Sequence, residues 1–306
     1  MTDKPDQKEL IKKLRLRDRV VRVMSKDGKF RVAAIKNTTA AQTAQEKHNL
    51  PAVPAFMLAR MMSGASLSAA FLKGEERIIL ETESNGPIHT IYAEALQLGE
   101  IRGFIEYDDN LFKKDYSTFE DVIGIGLLKF KRMLYDQNTP ALGVVEIRKG
   151  DIASDLAYYF VQSEQIPTAV ILDTQLDDDG KIKQSGGLIV QGMPGATEED
   201  LEEVYNHLTK LGSISAYYEK ELTPDKVLKE ILPFEFELVK STQLDFFCRC
   251  SKDQFTSKLV TLQVDELEDM RKKGQNELVC QYCNAKYNLD DADFDKIIEE
   301  VTAMNN

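Results

Sequence analysis

All four cysteines of this 306-residue chain fall within 36 residues near its C-terminus. They stand as Cys248-Arg249-Cys250 and Cys280-Gln281-Tyr282-Cys283, with 29 residues between the pairs. The 247 residues before Cys248 contain no cysteine. Two close pairs joined by a loop supply four thiolates from two knuckles, the donor set of a closed tetrahedral zinc shell. Cys248, Cys250, Cys280 and Cys283 are therefore the candidate ligands of one zinc ion, and four unrelated buried thiols are a poor account of the pairing.

The flanks predict a small fold built around that ion. Val264 to Arg271 reads as a helix, Glu277–Val279 and Lys286–Leu289 as a hairpin around the second knuckle, and Asp290 as the cap of a last helix. Phe294, Ile297, Ile298 and Val301 give that helix an i, i+3, i+4, i+7 stripe. About sixty residues hold too little core to be comfortable alone. Structural zinc contributes roughly 10–16 kcal/mol of apparent binding free energy in small peptide folds, so losing the thiolates should unfold this one. The first pair is CxC, tighter than the CxxC of a zinc ribbon. A disulfide across it closes a small, strained ring, and strained disulfides tend to be labile or regulatory. On the residues alone, a purely structural zinc and a redox-sensitive one both remain open.

The rest of the chain predicts an α+β core. Residues 18–37 alternate about a Lys26-Asp27-Gly28-Lys29 turn, placing Val21, Val23, Phe30, Val32 and Ala34 on a hairpin. Helices are expected over 39–48, 55–72 and 152–165, the second rich in Ala, Met and Leu, with Met57, Met61 and Met62 as core filler. Strands are expected over 77–83, 88–95, 100–106, 143–147, 168–173 and 188–191. This mixture lacks the regular alternation of a doubly wound sheet. Beyond residue 195, Thr197-Glu198-Glu199-Asp200 opens an amphipathic helix carrying Leu201, Val204, Leu208 and Leu211, and Thr223-Pro224 opens another carrying Val227, Leu228 and Ile231. Their apolar stripes need a surface to lie on. The expected organisation is a mixed sheet-and-helix core domain (1–195), a helical linker (196–245) and a small C-terminal zinc-binding domain (246–306).

Composition narrows the function. A formal charge of −12 argues against general phosphate-backbone binding. Residues 248–306 carry eight Lys and Arg against twelve Asp and Glu, which disfavours a zinc-containing nucleic-acid binder. The basic run Lys8–Arg17 reads as a solvated helix face. An enzyme with a structural zinc would need a triad or cofactor motif in residues 1–195. His48, His89 and His207 are scattered, Gly124-Ile125-Gly126 lacks the third glycine of a dinucleotide fingerprint, and no Walker loop is present. Asp177-Asp178-Asp179-Gly180 lacks the later Glu of a calcium loop and reads as a turn. No secretory leader or bilayer-spanning window is visible, and the expectation is a cytoplasmic protein without a membrane partner. In a reducing cytosol, clustered thiols mean metal or redox chemistry more often than structural disulfides.

These motifs together resemble the 33 kDa chaperonin family of redox-regulated heat-shock chaperones. The CxC and CxxC pairs carry the resemblance, with Phe247 before the first and Ser251 after it. So do Leu72-Lys73-Gly74-Glu75-Glu76-Arg77, Asn85-Gly86-Pro87, Ala93-Glu94-Ala95, Arg102-Gly103-Phe104, Ser163–Thr168 and Gly186–Ala196, across nearly the whole chain. Gln254 stands where the family commonly has Arg, which bears on a local charge contact rather than on zinc. The resemblance implies an ATP-independent holdase rather than an enzyme, inactive while reduced and holding one zinc per chain. It implies that peroxide or hypochlorous acid, helped by heat, forms the disulfides Cys248–Cys250 and Cys280–Cys283 and releases zinc. The C-terminal domain then unfolds, the linker loosens, and apolar surface binds unfolding client proteins. The reduced monomer would become a dimer on oxidation.

Overall fold

The computed structural model describes residues 14–108, 116, 118–135 and 139–304, so Lys8–Lys13 of the basic run lie outside them. By its contacts the chain divides into two compact units, Met1–Phe247 and Cys248–Asn306. The helical segment 196–245 is thus held with the first unit.

The first unit begins with the hairpin β1 (Arg19–Ser25) and β2 (Phe30–Lys36), then α1 (Thr38–His48) and α2 (Ala52–Ala69). A meander follows: β3 (Arg77–Ser84), β4 (Ile88–Leu96) and β5 (Glu100–Tyr107). After it come α3 (Phe119–Ile123), β6 (Gly126–Met133), β7 (Ala141–Glu146), α4 (Ile152–Ser163), β8 (Thr168–Leu176) and β9 (Ile182–Gly192). The segment beyond residue 195 contributes α5 (Glu198–Thr209), α6 (Ser215–Glu219), α7 (Pro224–Ile231), β10 (Phe236–Gln243) and the short β11 (Asp245–Phe246).

These strands make two sheets, in the orders β10-β1-β2-β9-β8 and β11-β5-β4-β3-β6-β7. Helix α2 packs against strands of both. It is apolar on nearly every side, as a helix enclosed by protein must be. Met57, Met61 and Met62 are buried in its core, as expected of filler residues. The opposite face of the first sheet is closed by α5, α6 and α7. Val204, Leu208, Tyr218, Val227, Leu228 and Ile231 join Val21, Val23, Phe30, Val32, Leu188 and Val190 in one buried cluster. The two amphipathic stripes have found their surface, each fully buried aliphatic side chain contributing about 1.5–3 kcal/mol.

The last part of the first unit departs from the expected helical linker. β10 runs antiparallel to β1, with Val21 opposite Ser241, and β11 runs parallel to β5, with Phe246 opposite Ile101. The exit segment therefore forms an edge of both sheets in turn. Sequence patterning misses β10 because most of its residues, Leu238 and Val239 included, are exposed, so no buried face imposes alternation. Between the two strands Leu244 is buried and its amide donates to the Asp18 carbonyl at 2.9 Å. Gly99 makes the crossing possible. Its φ is +100°, and a Cβ there would lie 1.8 Å from the Gln243 carbonyl oxygen.

The second unit holds α8 (Lys252–Leu259), α9 (Val264–Lys272), the hairpin β12 (Glu277–Val279) and β13 (Lys286–Asn288), and α10 (Asp291–Met304). One apolar cluster buries Leu267, Ile297 and Val301, with Leu259, Val260, Leu262, Val264 and Ile298 partly covered around them, and Leu289 and Phe294 are buried as well. So small a core leaves a fold this size dependent on some further constraint.

Candidate metal centre

The second knuckle is a tight turn at the tip of the β12–β13 hairpin. The Cys280 amide donates to the Ala285 carbonyl at 2.9 Å, and the Asn284 amide returns to the Cys280 carbonyl at 2.7 Å. Asn284 closes the turn at φ +56°, the left-handed region that Asn tolerates better than most residues. The folded-back backbone aims the Tyr282 and Cys283 amides at the Cys280 sulfur and the Ala285 amide at the Cys283 sulfur.

The first knuckle has no regular secondary structure of its own and is fixed from both sides. Downstream, the Ser251 hydroxyl caps α8 by accepting the Gln254 amide at 3.3 Å. Gln254 thus enters through its backbone, and the residue itself is exposed. Lys252 reaches Asp293 at 2.5 Å, and Asp293 in turn forms a reciprocal cap with Asp290 at the start of α10. Across the site, the Tyr287 hydroxyl donates to the Cys250 carbonyl at 3.0 Å and lies 3.2 Å from the Cys250 sulfur. Phe255 of α8 packs against the Tyr287 ring at 5.6 Å between centroids.

The four sulfurs lie within 4.8 Å of one another. Cys248 and Cys280 approach to 3.8 Å, and Cys250 and Cys283 to 3.4 Å. A tetrahedron with metal–sulfur bonds of 2.3 Å has edges of about 3.8 Å, so the cage suits one tetrahedral ion. Cys280 and Cys283 are buried, whereas Cys248 and Cys250 are half-buried. All four are free thiols. Burial pushes the Cys280 and Cys283 thiols up despite the amides aimed at them. Burial also opposes ionisation of Cys250, but its bonds with Tyr287 and the other thiols outweigh that and leave it lowered. Bonding to Cys250 pushes the Tyr287 phenol up to about 12. Four thiolates this close repel one another strongly, and a bound divalent cation removes that obstacle. The cluster contains only soft sulfur donors, and its four ligands would complete a shell with no open position for substrate.

The structure brings together all four cysteines singled out in the sequence. Tyr287 was not among them. Its only signal was a tyrosine on the strand after the second knuckle, a position that core packing explains equally well. The three histidines lie outside this cluster, and Asp177 accepts the Asp179 and Lys181 amides in a turn.

The family model of the Hsp33 protein matches residues 18–290. A 33 kDa chaperonin from Streptococcus thermophilus is 32% identical over 288 residues, spanning 92% of this chain and 100% of that protein. One from Bacillus subtilis is 31% identical over 282 residues, spanning 88% and 94%. The crystal structure of a 33 kDa chaperonin, a heat shock protein 33 homolog from Thermotoga maritima, superposes with a TM-score of 0.83 at 29% identity. That match covers 95% of this chain and 100% of that one. Fold, cysteine cage and full-length similarity agree, and the chain belongs to the Hsp33 family of 33 kDa chaperonins.

Proposed function

We propose that this protein is a redox-regulated, ATP-independent holdase of the cytoplasm, and that Cys248, Cys250, Cys280 and Cys283 are its switch. The observation that carries the reading is the four-sulfur cage inside a small unit with few buried apolar side chains. In the reduced form the four thiolates hold one Zn2+, which supplies folding free energy to residues 248–306.

Peroxide accepts two electrons from each thiolate pair and two protons from solvent, so that one S–S bond forms, the O–O bond breaks and two waters leave. Each disulfide removes two of the four ligands, and the second unit loses its main constraint. In the thiol form the sulfurs approach across the two knuckles, Cys250 to Cys283 at 3.4 Å and Cys248 to Cys280 at 3.8 Å, with all four inside 4.8 Å, so the final pairing is set after the cage opens. Once the unit opens, the shortest loops close at least entropic cost, which favours Cys248–Cys250 and Cys280–Cys283. The 196–245 segment then loosens. Its last strand is a largely exposed edge, and its helices cover Val21, Val23, Phe30, Val32 and Val190. Uncovering these offers a contiguous apolar surface to unfolding clients, and to a second copy in an oxidised dimer. The reduced form is a monomer, and no nucleic acid or catalytic turnover is involved.

The test is light scattering from a thermally unfolding client without ATP. The peroxide-treated protein should suppress aggregation and the reduced protein should not. Suppression equal in both forms, or absent from both, overturns the switch.

A further inference from the structure

Strand β8 ends the first sheet, and among the described residues no strand lies beyond it. In an antiparallel ladder, alternate residues turn both backbone groups to the same side. The Pro167 carbonyl accepts the Gly192 amide on the β9 side, so Thr168, Val170 and Leu172 direct their N–H and C=O groups to the free edge. At Leu172 that edge is closed, because the Arg60 guanidinium donates to its carbonyl at 2.5 Å and also pairs with Asp151 at the start of α4. At Thr168 and Val170 no backbone bond from a described residue closes it. There the edge forms the floor of a groove of about 380 Å³ between α4 and α5. Ala157 and Val161 of α4 form one wall, and Leu201 and Tyr205 of α5 the other, with Glu198 and Glu202 also lining it.

We propose that this groove is a peptide-binding site that takes an extended, apolar segment carrying cationic side chains, adding it as a strand beside Thr168–Val170. Three features select that ligand. Thr168 and Val170 are only 7% and 6% exposed and line the groove, and their outward backbone donors and acceptors match the partners that an extended chain supplies in register. The walls are apolar and sized for side chains, and the volume lies within the roughly 300–1,000 Å³ typical of ligand clefts. The two lining carboxylates belong to exposed residues and favour Lys or Arg over Asp or Glu. The site rests on the holdase reading in that such segments are what an unfolding protein exposes. Because α5 is one wall, the folded form admits short segments, and loosening of residues 196–245 would admit longer ones.

The test uses the reduced, zinc-bound full chain and a fluorescein-labelled octapeptide alternating valine with lysine. The control peptide has glutamate in place of lysine. Anisotropy should show the lysine peptide binding at least tenfold more tightly than the control, and Glu202→Lys should weaken it about tenfold. At saturation, exchange of the Thr168 and Val170 amides should slow at least tenfold. That readout needs no variant to fold. Absence of binding, binding without protection of those two amides, or indifference to Glu202→Lys overturns the site. Aggregation suppression by the oxidised wild type, measured separately, distinguishes failure of the groove from failure of the holdase reading.

Discussion

The Tyr287 hydroxyl donates to the Cys250 carbonyl at 3.0 Å while lying 3.2 Å from the Cys250 sulfur, tying the irregular first knuckle to the hairpin that carries the second. Groups that orient ligands in this way typically set metal affinity within a factor of 10–100. Tyr287→Phe should therefore lower zinc affinity about tenfold in competition with a chromogenic chelator, and oxidation should release the ion at lower peroxide. Unchanged affinity would show that the second knuckle positions Cys250 without help.

Removing one ligand should separate the two units. Cys283→Ser leaves three thiolates in a unit whose buried apolar side chains are Leu267, Leu289, Phe294, Ile297 and Val301. Limited proteolysis should then cut freely after Cys248 and more readily within 196–247, while residues 18–195 resist, because the sheets and their helices bury their own cluster. A variant that keeps residues 248–306 protected contradicts metal-dependent folding.

Helix α7 offers a way to loosen the 196–245 segment without touching a cysteine. Leu228 is fully buried against the first sheet, and Leu→Ala at such a site costs about 2–5 kcal/mol. Leu228→Ala should suppress client aggregation at lower temperature or oxidant than wild type, whereas exposed Lys229→Ala should behave as wild type. Activation thresholds unchanged in Leu228→Ala would mean that α7 does not cover the client surface.

Asp18 should make stability depend on pH. Burial pushes its carboxyl up to about 7, against the bond from the Ala40 amide and the charge of Lys36. Its other carboxylate oxygen has no hydrogen-bond partner among the described residues. A carboxyl raised in the folded state contributes stability that is fully present below about pH 4 and lost as pH rises through about 7. The difference amounts to at most about 4 kcal/mol. The melting temperature of Asp18→Asn should fall less between pH 5 and 8 than that of wild type. Parallel curves contradict the assignment.

The cysteine cage was legible because ligand spacing is local and the residues are scarce. The helices after residue 195 were legible as amphipathic, since Val204, Leu208, Val227 and Leu228 follow a 3.6-residue period. What they cover was not, because Val21 and Val190 lie far away in sequence. β10 left no trace, being an edge strand with few buried side chains. Tyr287 and Asp18 were invisible for another reason: each gains its role from groups brought near only by tertiary folding, Cys250 in one case and the α1 N-terminus in the other.

The most direct test of the central claim follows zinc, thiols and client aggregation together in one cuvette while peroxide is added at elevated temperature. The account predicts release of about one zinc per chain as four thiols disappear, with suppression of aggregation beginning only then. Zinc that stays bound, or leaves without any gain in suppression, would make the cage purely structural and contradict the switch.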